Sequence, residues 1–225
     1  MLPEVIEHKS EPGSSIEERR AQFDARLEAE REAAAAGHRQ LLWLRSGVLL
    51  RHAKRAVEES ERRNAAWREC RERLGEALGT GIVVALIGDF SVGKTQLAVD
   101  LIRQACAAGR PARYVTAVPL LLSLRAEARD VLSALSEYVG PSLLVIDELG
   151  LRKHSQWEDL MLTTLLDQRY GGLKDTLLLS NERPDVFLAA VGRSVQERLD
   201  ECGKHLFPEG IAVCTKARGW ENVRK

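Results

Sequence analysis

Three stretches of this chain place chemically useful side chains where an apolar run ends. The first is GDFSVGKT, Gly88 to Thr95, followed by Gln96 and a helical pattern that reaches Ala107. Two glycines, a lysine and a threonine at this spacing match G-x-x-x-x-G-K-[ST], the phosphate-binding loop, when a strand precedes it and a helix follows. Gly88 and Gly93 let the backbone curl. The N–H groups along Asp89, Phe90, Ser91, Val92, Gly93, Lys94, Thr95 and Gln96 can then converge on phosphate oxygens, at a helix N-terminus whose dipole favours negative charge. Lys94 would reach the β- and γ-phosphates and the Thr95 hydroxyl would sit on Mg²⁺, so the expected cofactors are ATP and Mg²⁺. The second stretch, LLVIDELG, delivers Asp147 and Glu148 to a strand end. Asp147 would hold the Mg²⁺ shell, and Glu148 would orient and polarise the attacking water. The third, TLLLSN, brings Ser180 and Asn181 to the same edge. An amide there can bond both a γ-phosphate oxygen and the nucleophile; an ordinary strand-end turn residue is the alternative.

The elements that must position these residues are legible in the apolar runs. They are IVVALIG (Ile82 to Gly88), ARYVTA (Ala112 to Ala117), SLLVIDE (Ser142 to Glu148), DTLLLSN (Asp175 to Asn181) and IAVCT (Ile211 to Thr215). Near-continuous Val/Ile/Leu runs separated by helical patterns indicate parallel strands buried on both faces. The expected fold class is therefore α/β, a P-loop NTPase core with a five-stranded parallel sheet. An N-terminal helical region precedes it. Ser15 with Glu18 forms a capping box, and Ile16, Phe23, Leu27 and Ala34 recur at helical spacing up to Gly37. Leu41, Leu44 and Val48 mark a second helix, and Ala66, Cys70, Leu74 and Ala77 a stripe on a third, from about Ala56 to Leu78. The domain organisation expected is a leader over residues 1–14, a helical partner-binding region over 15–55, and an ATPase domain over 56–225.

Composition narrows the rest. The chain has 225 residues with 33 basic and 33 acidic side chains, so its formal charge is zero and a uniformly basic nucleic-acid coat is excluded. One local block stands out: no acidic residue lies between Glu32 and Glu58, while Arg39, Arg45, Arg51, Lys54 and Arg55 do. It reads either as a solvated helix face or as a nucleic-acid or partner surface. The four cysteines form no CxxC pair and the five histidines have no zinc spacing to them, which favours a reduced, cytoplasmic setting. The N-terminus lacks a signal-peptide pattern, and the Leu-rich stretch from Leu41 to Leu50 is too short for a span and contains Arg45, so no membrane segment is expected.

GDFSVGKT, LLVIDELG with Trp157 and Glu158 beyond it, LLDQRYGG (Leu165 to Gly172), TLLLSN and GRSVQERL (Gly192 to Leu199) together resemble the DnaC and IstB group of AAA+ ATPases. The resemblance runs from about Ala56 to the C-terminus, and the closing GWENVRK is also similar. It implies a sheet in AAA+ order with no helical lid after the last strand, a sensor role for Asn181, and an arginine finger at Arg198 that completes the ATP site of a neighbouring subunit. Homo-oligomerisation follows from such a shared site. Arg193 is the alternative finger, and Arg169 would also face the adjoining subunit. VPLLLSLRAEARDVLSALSEYVG matches in position the helices that hold single-stranded DNA in the group, with Arg125 and Arg129 as the available cations; an ordinary crossover helix is the alternative. The function implied is that of a helicase loader, an ATPase that delivers a DnaB-type replicative helicase. The alternatives are a helper that directs a transposase to its target DNA and, from another class, a non-hydrolysing nucleotide-gated adaptor.

Overall fold

The structure, a computed structural model, describes residues 15–59, 65–127, 130–215 and 219–221. In chain order its elements are α1 (Ile16–Arg45), α2 (Leu50–Glu59), α3 (Ala65–Ala77), β1 (Val83–Gly88), α4 (Lys94–Ala107), β2 (Ala112–Thr116), α5 (Ala117–Ala126), α6 (Val131–Val139), β3 (Leu143–Asp147), α7 (Gln156–Gly171), β4 (Asp175–Ser180), α8 (Pro184–Gly203), β5 (Ile211–Thr215) and β6 (Gly219–Glu221). The strand order is β2-β3-β4-β1-β5-β6. All pairs are parallel except β5 with β6. The five parallel strands match the five apolar runs. β6 has no such run and extends the sheet by one antiparallel strand.

Strand residues alternate between two cores, as a pleated sheet covered on both faces requires. Val84, Leu86, Leu143, Val145, Leu177 and Leu179 pack under α3 and α4. Val83, Ala85, Ile87, Leu144, Ile146 and Leu178 pack under α5 to α8. Trp67, Cys70, Leu74 and Ala77 are the buried face of α3, close to the predicted stripe, with Trp67 in place of Ala66. One buried carboxylate ties the start of the sheet: Asp175 accepts the N–H groups of Gly79, Gly81 and Ile82 at 2.6, 2.9 and 3.2 Å. Burial raises its pKa, and these three bonds oppose the rise.

The helical region differs from its expected boundaries. α1 continues through Gly37 to Arg45, because Gly37 costs a helix only about 1 kcal/mol and has no neighbour to displace. Ser15 and Glu18 form the expected capping box, each side chain accepting the other's N–H, at 3.2 and 2.8 Å. The chain divides into two compact units at His38/Arg39, not at residue 55. The later unit takes in residues 39–55 for a physical reason. β2 is an edge strand with unpaired backbone groups, and the Ser46 carbonyl covers that edge by accepting the Tyr114 N–H at 2.6 Å. Arg113 donates to the Arg45 carbonyl at 3.2 Å, and Leu42, Trp43 and Val48 pack on the core below α4.

Candidate functional site

The carboxyl ends of β1, β3 and β4 open into one cavity of about 600 Å³. Phe90, Ser91, Gly93, Lys94, Thr95, Gln96, Asp147, Glu148 and Asn181 line it, so the three motifs converge. The loop after β1 has the left-handed backbone that a phosphate cradle needs, with Gly88 at φ 141°, Ser91 at 65° and Gly93 at 100°. Gly93 caps α4 in a conformation that a side chain would strain. Its carbonyl accepts the buried indole N–H of Trp67 at 3.3 Å, so α3 braces the loop from behind. Val92 packs partly on the core.

Lys94 is almost wholly buried, and its ammonium donates at 2.7 Å to each of the Gly88 carbonyl, the Asp89 carbonyl and Asn181 Oδ1. Asp147 is equally well held. Its Oδ2 accepts from the Thr95 hydroxyl at 2.8 Å and from the Tyr114 hydroxyl at 2.9 Å, and its Oδ1 accepts the Glu148 N–H at 2.7 Å. Burial first, and then the Asp147 charge, push the Tyr114 phenol far above its ordinary pKa, so it remains a donor. Glu148 is exposed and sits at φ 58°, a left-handed conformation that costs a non-glycine residue about 1–3 kcal/mol and concentrates at functional sites. Ser180 turns away to Glu182 at 3.2 Å and does not line the cavity.

These donors fit a magnesium ion. Mg²⁺ takes oxygen ligands octahedrally at about 2.0–2.1 Å, which sets adjacent ligand oxygens roughly 3 Å apart. The Thr95 hydroxyl and Asp147 Oδ2, 2.8 Å apart, are the oxygens that would hold such an ion, which would supply charge neutralisation beside the phosphates.

Other expected residues lie elsewhere. Arg125 is exposed, its guanidinium 4.9 Å from the Trp157 ring, beside a separate cleft of about 170 Å³ shared with Val118, Leu122 and Lys153. Arg129 falls outside the described residues. Arg198 is held within its own chain, 3.4 Å from Asp167, 3.7 Å from Glu201 and 4.3 Å from the Tyr170 ring. Arg169, expected at a subunit boundary, is instead fully buried. It donates to the carbonyls of Tyr138, Val139, Pro141, Ser142 and Asp175 and to the Thr176 hydroxyl, and burial lowers its pKa to about 10. Its surroundings require a fork of donors, which explains why an arginine stands there.

His52, Arg55 and Tyr114 also line the cavity and carried no motif. The only signal for Arg55 was its place in the basic block, and Tyr114 was hidden in a strand pattern.

A parallel αβα sheet of this order, with a phosphate loop after β1 and an acidic pair after β3, defines an AAA+-type P-loop nucleotide-binding protein. Residues 25–185 match the family described as IstB-like ATP binding protein, and the chain belongs to that family. It is 23% identical over 211 residues to the replicative helicase loader DnaC of Escherichia coli K12, covering 88% of this chain and 85% of DnaC. It is 31% identical over 168 residues to an ATP-binding protein of insertion sequence IS1162 from Pseudomonas fluorescens, covering 70% of this chain and 71% of that one. Among solved structures, a DnaC helicase loader superposes with TM-score 0.54 at 21% identity, over 62% of this chain and 88% of that one. AMPPCP-bound DnaA from Aquifex aeolicus superposes with TM-score 0.54 at 18% identity, over 60% of this chain and 45% of the initiator. These superpositions establish the shared fold. No described helix is long and apolar enough to cross a membrane.

Proposed function

We propose that this protein is an ATP-hydrolysing helicase loader of the DnaC type. In this reading the P-loop N–H groups and Lys94 bind the phosphates, and Thr95 and Asp147 hold Mg²⁺, which supplies charge neutralisation at the transferred phosphoryl group. Glu148 orients the attacking water, and Asn181, whose Oδ1 accepts from Lys94, donates its amide N–H to the γ-phosphate. Arg198 completes the site of a neighbouring copy. Arg125 and Arg129 track a single-stranded DNA backbone, with Trp157 beside Arg125 as a surface on which a base can stack. ATP acts as a switch, since two nucleotide states of different partner affinity suffice to bind and then release a helicase.

The observation that carries the loader reading is the extent of the likeness to DnaC. It includes 88% of this chain, and so reaches beyond the ATPase core into the helices before it. A specific observation supports the second reading, a helper that brings a transposase to target DNA: the 31% identity to the insertion-sequence protein. Co-purification of the full chain with the host's replicative helicase, in ATP and in ADP, separates the two. Nucleotide-dependent capture is expected for a loader. No capture in either nucleotide, with ATP-dependent binding to duplex DNA and a transposase, makes the chain a transposition helper.

A further inference from the structure

His52 and Arg55 reach the nucleotide cavity from α2, an element that precedes the ATPase motifs altogether. Their position is built into the packing. Arg103 of α4 donates to the Ala53 carbonyl at 3.1 Å and lies 5.1 Å over the Trp43 ring, and fully buried Ser46 locks the preceding turn to β2. The side chain of Gln96, on the first turn of α4, approaches His52 Nδ1 with its Nε2 at 3.2 Å. This contact ties the first turn of α4 to α2.

That bond commits the Gln96 amide nitrogen to α2. Its Oε1 is buried without a hydrogen-bond partner among the described residues, although Gln96 is only 8% exposed. Gln96 thus spends its side chain on holding α2 against the loop rather than on solvent. The His52 ring also lies 6.4 Å from the ring of Tyr114, whose hydroxyl holds Asp147. α2 therefore stands on the side of the loop where Thr95, Asp147 and Glu148 gather, the metal and γ-phosphate side.

We propose that α2 is part of the nucleotide site, with Arg55 contacting the terminal phosphate of ATP and His52, through Gln96, positioning α2 for that contact. This rests on the ATP-site reading above. Arg55 is a permanent cation whose planar fork suits a phosphate, and it is exposed at the cavity. ADP lacks the group it would meet, so the arginine discriminates between the two nucleotides.

Equilibrium titration of the full chain with fluorescent N-methylanthraniloyl ATP and ADP, in Mg²⁺, tests the assignment. Arg55→Ala should weaken the ATP analogue about tenfold, as the loss of one charge-assisted phosphate contact does. The ADP analogue should move by less than about twofold. Arg55→Lys should recover part of the difference, and Arg55→Glu should enlarge it. His52→Ala should lower the preference for ATP in the same direction, with Arg55 intact. If Arg55→Ala weakens both nucleotides equally, or neither, the assignment is overturned while the P-loop reading stands. A wild-type chain that binds neither nucleotide overturns both.

Discussion

Asp147 shows how much of the chemistry resides in single side chains. Its two oxygens take three hydrogen bonds, and only the one from Thr95 must be surrendered for both groups to face a metal. Tyr114 then remains as the positioning donor. Tyr114→Phe keeps the ring and removes a bond to a charged group, of a kind worth about 1.5–3 kcal/mol. The Mg²⁺ concentration at half-saturation of ATP binding should rise about tenfold, with metal-free nucleotide binding unchanged. A fall instead would mean that the hydroxyl competes with the metal. Glu148 has a separate task. Glu148→Gln should bind ATP normally and lose turnover by about 10²–10⁴-fold, the range attributed to a positioned general base. Steady-state phosphate release read alongside nucleotide binding distinguishes this from Lys94→Ala, which should lose binding itself. Normal hydrolysis by Glu148→Gln would place the water on another residue.

At the scale of elements, the α6–β3 and α7–β4 connections converge on Arg169, which no motif of catalysis uses. Five carbonyls and a hydroxyl face its guanidinium, and a lysine ammonium has neither enough donors nor the fixed fork to satisfy them. Arg169→Lys should cost about 3 kcal/mol, because each buried acceptor left open costs about 1–3 kcal/mol. A melting temperature lower by roughly 6–12 °C is the expected reading for a domain of this size. An unchanged melt with lost ATPase activity would restore the subunit-boundary role implied by the family pattern. The strands were legible because an unbroken Val/Ile/Leu run leaves a parallel, twice-covered strand few alternatives, and each motif then followed from the strand it ended. β6 was not, since Gly219–Glu221 has no apolar run and owes its pairing to β5. Gly37 was read as a stop because propensity favours it, yet an exposed helix tolerates it. Arg169 was misplaced for a related reason: sequence pattern identifies a recurring arginine without saying which way it points. His52 and Arg55 were illegible as site residues because their place depends on Ser46 pairing with a distant strand.

At the scale of the whole molecule, the question is whether one copy suffices. Among the described residues of one copy, Arg55 is the arginine that lines the cavity. Arg198 is instead committed to Asp167, Glu201 and Tyr170 on the α7–α8 surface, with its side chain 25% exposed. Arg193, past the break in α8 at Gly192, is 92% exposed and pairs with Glu197 one turn on. Exposure alone would favour Arg193 as the group offered to a neighbour. The pairing of Arg198 argues the other way, because two carboxylates and a ring hold its guanidinium at a fixed place on the surface, and a preorganised cation loses less entropy on meeting a γ-phosphate. Arg198→Ala should therefore bind ATP with wild-type affinity and lose hydrolysis by about 10³-fold or more, the usual worth of an arginine finger. Arg193→Ala should change turnover little. Mixing Arg198→Ala with Lys94→Ala is the decisive measurement, since each inactive copy retains what the other lacks: an intact loop in the first, an intact finger in the second. Recovered phosphate release in the mixture, rising with total protein concentration, is expected if the site is shared between copies. Two inactive variants that remain inactive together, while Arg193→Ala with Lys94→Ala recovers no less than wild type with Lys94→Ala, would confine Arg198 to holding α7 against α8.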